Sequence, residues 1–148
     1  MKREMLQEMT SLMRTHDTCV LATSHEGRPH CSLMAYAVDE GCEEIYMVTH
    51  RTTRKYRNLM ANPHVSLLID TREEDTGDRR PQRKALTVTG AFCLIEDEDK
   101  RLLAREGLLK RHPYMATFLD HPEAEIFSVK VTAFLLLEGP ADAYFLKI

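Results

Sequence analysis

A chain of 148 residues with 43% hydrophobic side chains is long enough for one packed domain and too apolar to be a disordered tail. Its 20 basic and 23 acidic residues give a formal net charge of -3, which excludes holding nucleic acid or an anionic membrane by field alone. The four cysteines (Cys19, Cys31, Cys42, Cys93) stand apart with no C-x-x-C pair, so they read as buried thiols in a reducing cytoplasm, not a disulfide scaffold.

The N-terminal stretch MKREMLQEMTSLMRTHD carries charge throughout, so neither a secretory signal nor a membrane span is expected there, and the expected location is cytoplasmic. Met5, Leu6, Met9, Leu12 and Met13 recur at helical spacing, which predicts an amphipathic helix with a core-facing Met stripe. Short β-prone runs follow: CVLAT, a turn over residues 25–29, HCSLMAYAV, a turn at DEGCEE, and IYMVT. Residues 53–62 return to helical spacing through Tyr56, Leu59 and Met60, with threonines for an N-cap and Asn62-Pro63 as the stop.

HVSLLID is the next strand, and the charged stretch around residues 72–84 reads as a loop. KALTVTGAFCLIE then alternates long enough for an extended strand with a bend at Gly90. Asp97 caps a further helix, in which Leu102, Leu103, Leu108 and Leu109 are expected to face the core, ending at His112-Pro113. A short helical turn at YMATFL, a long strand AEIFSVKVTAFLLLEG and a brief edge strand over residues 143–146 complete the chain. The expectation is a mainly β (α+β) single domain over residues 1–148, a closed antiparallel sheet with two to three flanking helices, because closure hides strand edges.

The stretch YMVTHRTTRKYRNLMANPHVSLLID concentrates the chemistry. A strand ends in hydroxyl and basic residues that also open a helix, where unpaired backbone N–H groups and the positive end of the dipole attract anions. The cations Arg51, Arg54 and Lys55 are unfavourable at that end unless an anion joins them. A phosphate satisfies the group: it accepts from threonine hydroxyls and backbone, from the planar fork of Arg54 and from the point charge of Lys55. The plainer reading of such a cluster is a solvated basic surface.

These residues resemble the pyridoxamine 5'-phosphate oxidase-like superfamily of split β-barrel flavoproteins. The resemblance runs from about Cys19 to Gly90 and is densest between Tyr46 and Asp70. It implies a six-stranded antiparallel split barrel that binds FMN at the interface of a homodimer. Thr49, Thr53, Arg54 and Lys55 would then hold the FMN phosphate with Val48 beside them, and Ser32, Leu33, Met34 and Ala35 would run along the flavin ring. The fifth strand and C-terminal segment of the second subunit would complete the pocket.

The departures are specific. Ser32 and Ala37 stand where the oxidase has an arginine and a lysine, Ala85 lies near its fifth-strand glutamine, and a chain with no Trp lacks its C-terminal tryptophan. A pyridoxal phosphate synthase is therefore not expected. The seven histidines form no H-x-x-x-H or Cys/His cluster, so no metal site is expected, although His50 adjoins the proposed phosphate site. No G-x-S-x-G, P-loop or G-x-G-x-x-G occurs. The expected function is an FMN-dependent oxidoreductase with no identifiable catalytic side chain, the alternative a non-catalytic flavin or haem binding, storage or sensing module.

Overall fold

A computed structural model describes residues 1–148. Helix α1 (Lys2–Thr15) leads into β1 (Thr18–His25) and β2 (Arg28–Ala35), a hairpin whose tight turn uses positive φ at Glu26 and Gly27. The two-residue β3 (Ala37–Val38) follows β2 almost at once, then β4 (Glu44–His50), α2 (Arg54–Ala61), β5 (His64–Asp70) and β6 (Lys84–Leu94). Helix α3 (Glu98–Arg111), a short α4 (Ala116–Asp120), the long β7 (Ala124–Glu138) and β8 (Asp142–Lys147) complete it. The expected charged loop before β6 contains a 3-10 turn over Gly77–Gln82. No helix is long and apolar enough to cross a membrane.

All pairings are antiparallel, in the order β2-β1-β5-β6-β7-β4-β3, with β8 beside the second half of β7. The six long strands of the expected split barrel and the expected edge strand, β8, are present, and the end of the expected HCSLMAYAV run is set apart beyond Tyr36 as β3. The sheet order begins and ends on one stretch of chain, because β2 runs through Tyr36 straight into β3. The sheet is thereby curled nearly shut.

Closure is partial for a definable reason. β3 meets β4 only at Ala37↔Tyr46 and Val38↔Ile45, so beyond Tyr46 the edges of β2 and β4 part. The bend residue is firmly held: Tyr36 donates its hydroxyl to Met13 O at 2.8 Å, and its own carbonyl accepts from His112 Nε2 at 3.1 Å. Arg111 lies over its ring and donates to the carbonyls of Tyr36, Arg14 and His16, pinning the end of α1 against the bend.

Alternation along the strands divides the core. Leu21, Leu67, Val88, Phe134 and Leu146 form one inward cross-strand row, closed by the Met stripe of α1 as its spacing predicts. A smaller cluster lies on the other side of β4, where Tyr46, Val48 and Ile126 meet Ala104, Leu108 and Leu119 of the helices. The bend expected at Gly90 is a register shift between Thr89 and Gly90 against β7.

Two expectations fail. Leu108 is buried and Leu109 half-buried, but Leu102 and Leu103 are exposed, because α3 lies on the sheet through Ala104 and Leu108 with Leu109 beside them. Cys19 and Cys42 are buried thiols, and burial pushes Cys19 up to about 12, whereas Cys31 and Cys93 are exposed on outward positions of β2 and β6.

Candidate functional site

The gap between β2 and β4 is where α2 begins. Thr53 is the N-cap: its Oγ1 accepts from Tyr56 N at 3.1 Å, lies 3.1 Å from Thr49 Oγ1, and donates to His50 O at 3.0 Å. That capping leaves the N–H groups of Arg54 and Lys55 with no acceptor in the chain. Asn58 donates to Thr23 Oγ1 at 3.1 Å and fixes the far end of α2 against β1.

Lys55 is the informative side chain. It is half-buried, its Nζ lies 3.0 Å from Met34 Sδ, a weak acceptor, and no carboxylate faces it. Burial alone pushes its pKa below the ordinary lysine value. A cation desolvated without a counter-charge, beside free N–H groups and two hydroxyls, is arranged to receive an anion. Arg54 is exposed at the same helix end.

Arg51, expected to share this cluster, does not. It donates to Pro122 O at 2.7 Å and pairs with Glu123 and Glu125 at the start of β7, because the turn before α2 carries it to the outer side. His50 and Val48 also face away from the gap, since alternation along β4 sends Thr49 to one side and its neighbours to the other. Val48 packs in the smaller cluster, so only its backbone is available to the gap. His50 stacks between Phe118 and His121, with ring centroids 4.0 and 4.3 Å away, and its Nε2 is buried without a partner.

On β2, Ser32 and the buried Met34 face the gap, while Leu33, 78% exposed, and Ala35 face outward. The edge of β2 away from β1 has no strand partner, so its backbone groups are open to a ligand's polar rim. Sequence reasoning missed His30, whose period-2 relation to Ser32 and Met34 places it on the same face. Grooves of about 600 Å³ and 1020 Å³ lie elsewhere, on the outer face of the sheet. The gap is a cradle bordered by β2, β4 and the start of α2.

The family model for pyridoxamine 5'-phosphate oxidase matches residues 5–138, while no curated protein matches the sequence. Among solved structures, a heme binding protein from Mycobacterium smegmatis superposes with a TM-score of 0.83 at 18% identity, over 95% of this chain and 56% of that one. A putative pyridoxamine 5'-phosphate oxidase from Listeria innocua gives 0.71 at 21% identity, covering 90% and 98% of the two chains. An FAD-binding protein from Mesorhizobium loti gives 0.70 at 18%, covering 88% and 91%. The chain thus spans little more than half of the mycobacterial protein, and at these identities the likeness is one of fold.

Proposed function

The chain belongs to the pyridoxamine 5'-phosphate oxidase family, and from that premise we propose that it is an FMN-binding flavoprotein working as a redox enzyme in a two-copy assembly. The observation that carries the reading is Lys55, a half-buried cation with no carboxylate, set beside the uncapped N–H groups of α2. Thr49, Thr53, Arg54 and Lys55 hold the phosphate. The open edge of β2 from Ser32 to Ala35 offers backbone groups to the ring. Bound flavin would supply the hydride or electron transfer itself, and the chain's part is to orient the ring and shield it from water. No side chain of the cradle is placed as a proton donor or acceptor.

The exposed apolar face of the sheet supports a second copy. On the outer face of the sheet, residues directly opposite one another form a continuous row, Leu33, Val20, Leu68, Thr87, Leu135 and Phe145. Leu33 and Phe145 at its ends are 78% and 69% exposed, an apolar surface of the kind that marks an interface.

A second reading is a binding module for flavin or haem without turnover. The mycobacterial heme binding protein of similar fold favours it, as does His30 on the cradle side of β2. The deciding experiment is the visible absorption spectrum of the protein as purified, then with added FMN and, separately, with added haem. Twin flavin bands that bleach with reduced nicotinamide and return in air support the enzyme. Flavin inert to all donors supports the module, and a Soret band lost in His30→Ala supports its haem form. Uptake of neither ligand removes both readings.

A further inference from the structure

A short turn, residues 51–53, joins β4 to α2, and the hydroxyls and free N–H groups of the cradle depend on how that turn is held. One peptide unit, between His50 and Arg51, holds it. On the cradle side its carbonyl accepts from Thr53 N at 3.1 Å and from Thr53 Oγ1 at 3.0 Å. On the β7 side its N–H donates to Glu123 O at 2.9 Å. A peptide unit is planar and stiff, so its two ends cannot turn independently. The contact with the start of β7 therefore sets the direction in which the Thr53 cap is held.

Side chains on both sides of this unit fasten it from outside the cradle. The ring of His50 lies between Phe118 and His121, nearly parallel to both, at interplanar angles of 14° and 21°. His121 is itself held, since its Nδ1 accepts from Glu123 N at 3.0 Å and its carbonyl accepts from Ala124 N at 2.9 Å. Leu119 anchors the same short helix in the smaller core cluster beside Val48 and Ile126. Arg51 grips the entry of β7 through Pro122 O, and Glu123 and Glu125 answer its charge. Because nothing answers His50 Nε2, the ring contributes its flat shape and not a hydrogen bond at that atom.

Resting on the FMN reading above, we infer that His50 is a positioning residue for the cofactor phosphate, acting through Thr53, and that Phe118 of α4 and His121 just after it belong to the same clamp. The stack faces away from the gap, so it touches neither the phosphate nor the flavin ring. With the stack intact, Thr53 Oγ1 stays 3.1 Å from Thr49 Oγ1 and 3.1 Å from Tyr56 N, and the N–H groups of Arg54 and Lys55 are left to the anion. With the His50 ring removed, the peptide unit is free to tilt, the cap loosens, and hydroxyls and N–H groups no longer converge on one point. The flavin ring's side of the cradle is the edge of β2, which the stack does not hold. The clamp thus sets the preference for a flavin that carries a phosphate over one that does not.

The test is quenching of flavin fluorescence on titration of FMN and, separately, riboflavin with the full chain and with His50→Ala, Phe118→Ala and His50→Phe. The unaltered chain is expected to prefer FMN. His50→Ala and Phe118→Ala should each weaken FMN about 5- to 100-fold, the span of couplings within one contact network, and riboflavin at most about twofold. His50→Phe returns a flat ring to the slot and should bind FMN within about twofold of the parent. Retained riboflavin binding shows that the variants are folded. A parent that fails to bind FMN, or binds it no better than riboflavin, removes the phosphate reading and this one with it. A parent that prefers FMN, with His50→Ala keeping that preference or losing both flavins alike, overturns the positioning role and leaves the FMN reading standing. So does a His50→Phe chain that binds FMN no better than His50→Ala.

Discussion

Replacing Arg54 and Lys55 together with alanine isolates the phosphate argument, because riboflavin carries the same ring as FMN without the anion. A hydrogen bond between charged groups contributes about 1.5–3 kcal/mol, and half-buried Lys55 earns a value in that range. Arg54 is exposed and is credited with about 1 kcal/mol or less. The sum, about 2–4 kcal/mol, is roughly a 30- to 1000-fold loss of FMN affinity, against at most about twofold for riboflavin. The assay is quenching of flavin fluorescence on titration, undisturbed by tryptophan because the chain has none. Lys55 adds a check on the ligand-free protein. Burial lowers its folded pKa below the ordinary 10.5, so the unfolded chain binds the extra proton between the two values and stability rises with pH there. That rise should vanish in Lys55→Ala. Equal losses for FMN and riboflavin, or no loss for FMN, would refute the reasoning.

Gly90→Ala should destabilise the fold by about 1–3 kcal/mol, because its Cβ would lie 2.6 Å from both Lys130 O and Val129 Cγ1. An unchanged urea midpoint would show that the bulge can relax. Glu138 is raised chiefly by the neighbouring Glu8 carboxyl, with burial adding to it, so the folded chain holds this proton more tightly and loses that stabilisation as pH rises through the folded value. Glu138→Gln should therefore raise the melting temperature by about 1–2 °C at neutral pH and leave it unaltered below the ordinary carboxylate value. The opposite ordering would mean that Lys84, shared with Glu8, governs the cluster.

What was legible in the sequence was local. Thr53 and Asp97 announce their helices because a cap's signal lies within a few residues, and Gly90 announces its bulge because nothing larger fits. Alternation placed the strands, the Met stripe placed α1, and the cluster of Thr49, Thr53 and Lys55 could be located from the strand-to-helix junction. The failures are non-local. Arg51 finds its partners about 70 positions away on β7, beyond the reach of any spacing rule. Leu102 and Leu103 look like core until it is known that α3 is covered by one narrow strip through Ala104 and Leu108. Cys31 is buried or exposed according to which face of β2 it takes, and one residue of register decides that.

The same alternation gives the two faces of β2 different surroundings. Met34 and Ser32 turn toward Lys55 and the cradle, and Leu33 between them turns toward the outer row. A shift of β2 along β1 that improved one set of contacts would displace the other, since adjacent side chains share one backbone. On the proposed function the two faces are linked through β2, and by linkage whatever factor FMN changes dimer affinity by, the dimer changes FMN affinity by the same factor. An open strand edge is ordinarily a hazard, and here β2 leaves one exposed along its length. On the proposed function, a ligand along that edge is its cover. Dimer dissociation measured with and without FMN should then differ, and equal constants would mean that the two faces of β2 act independently.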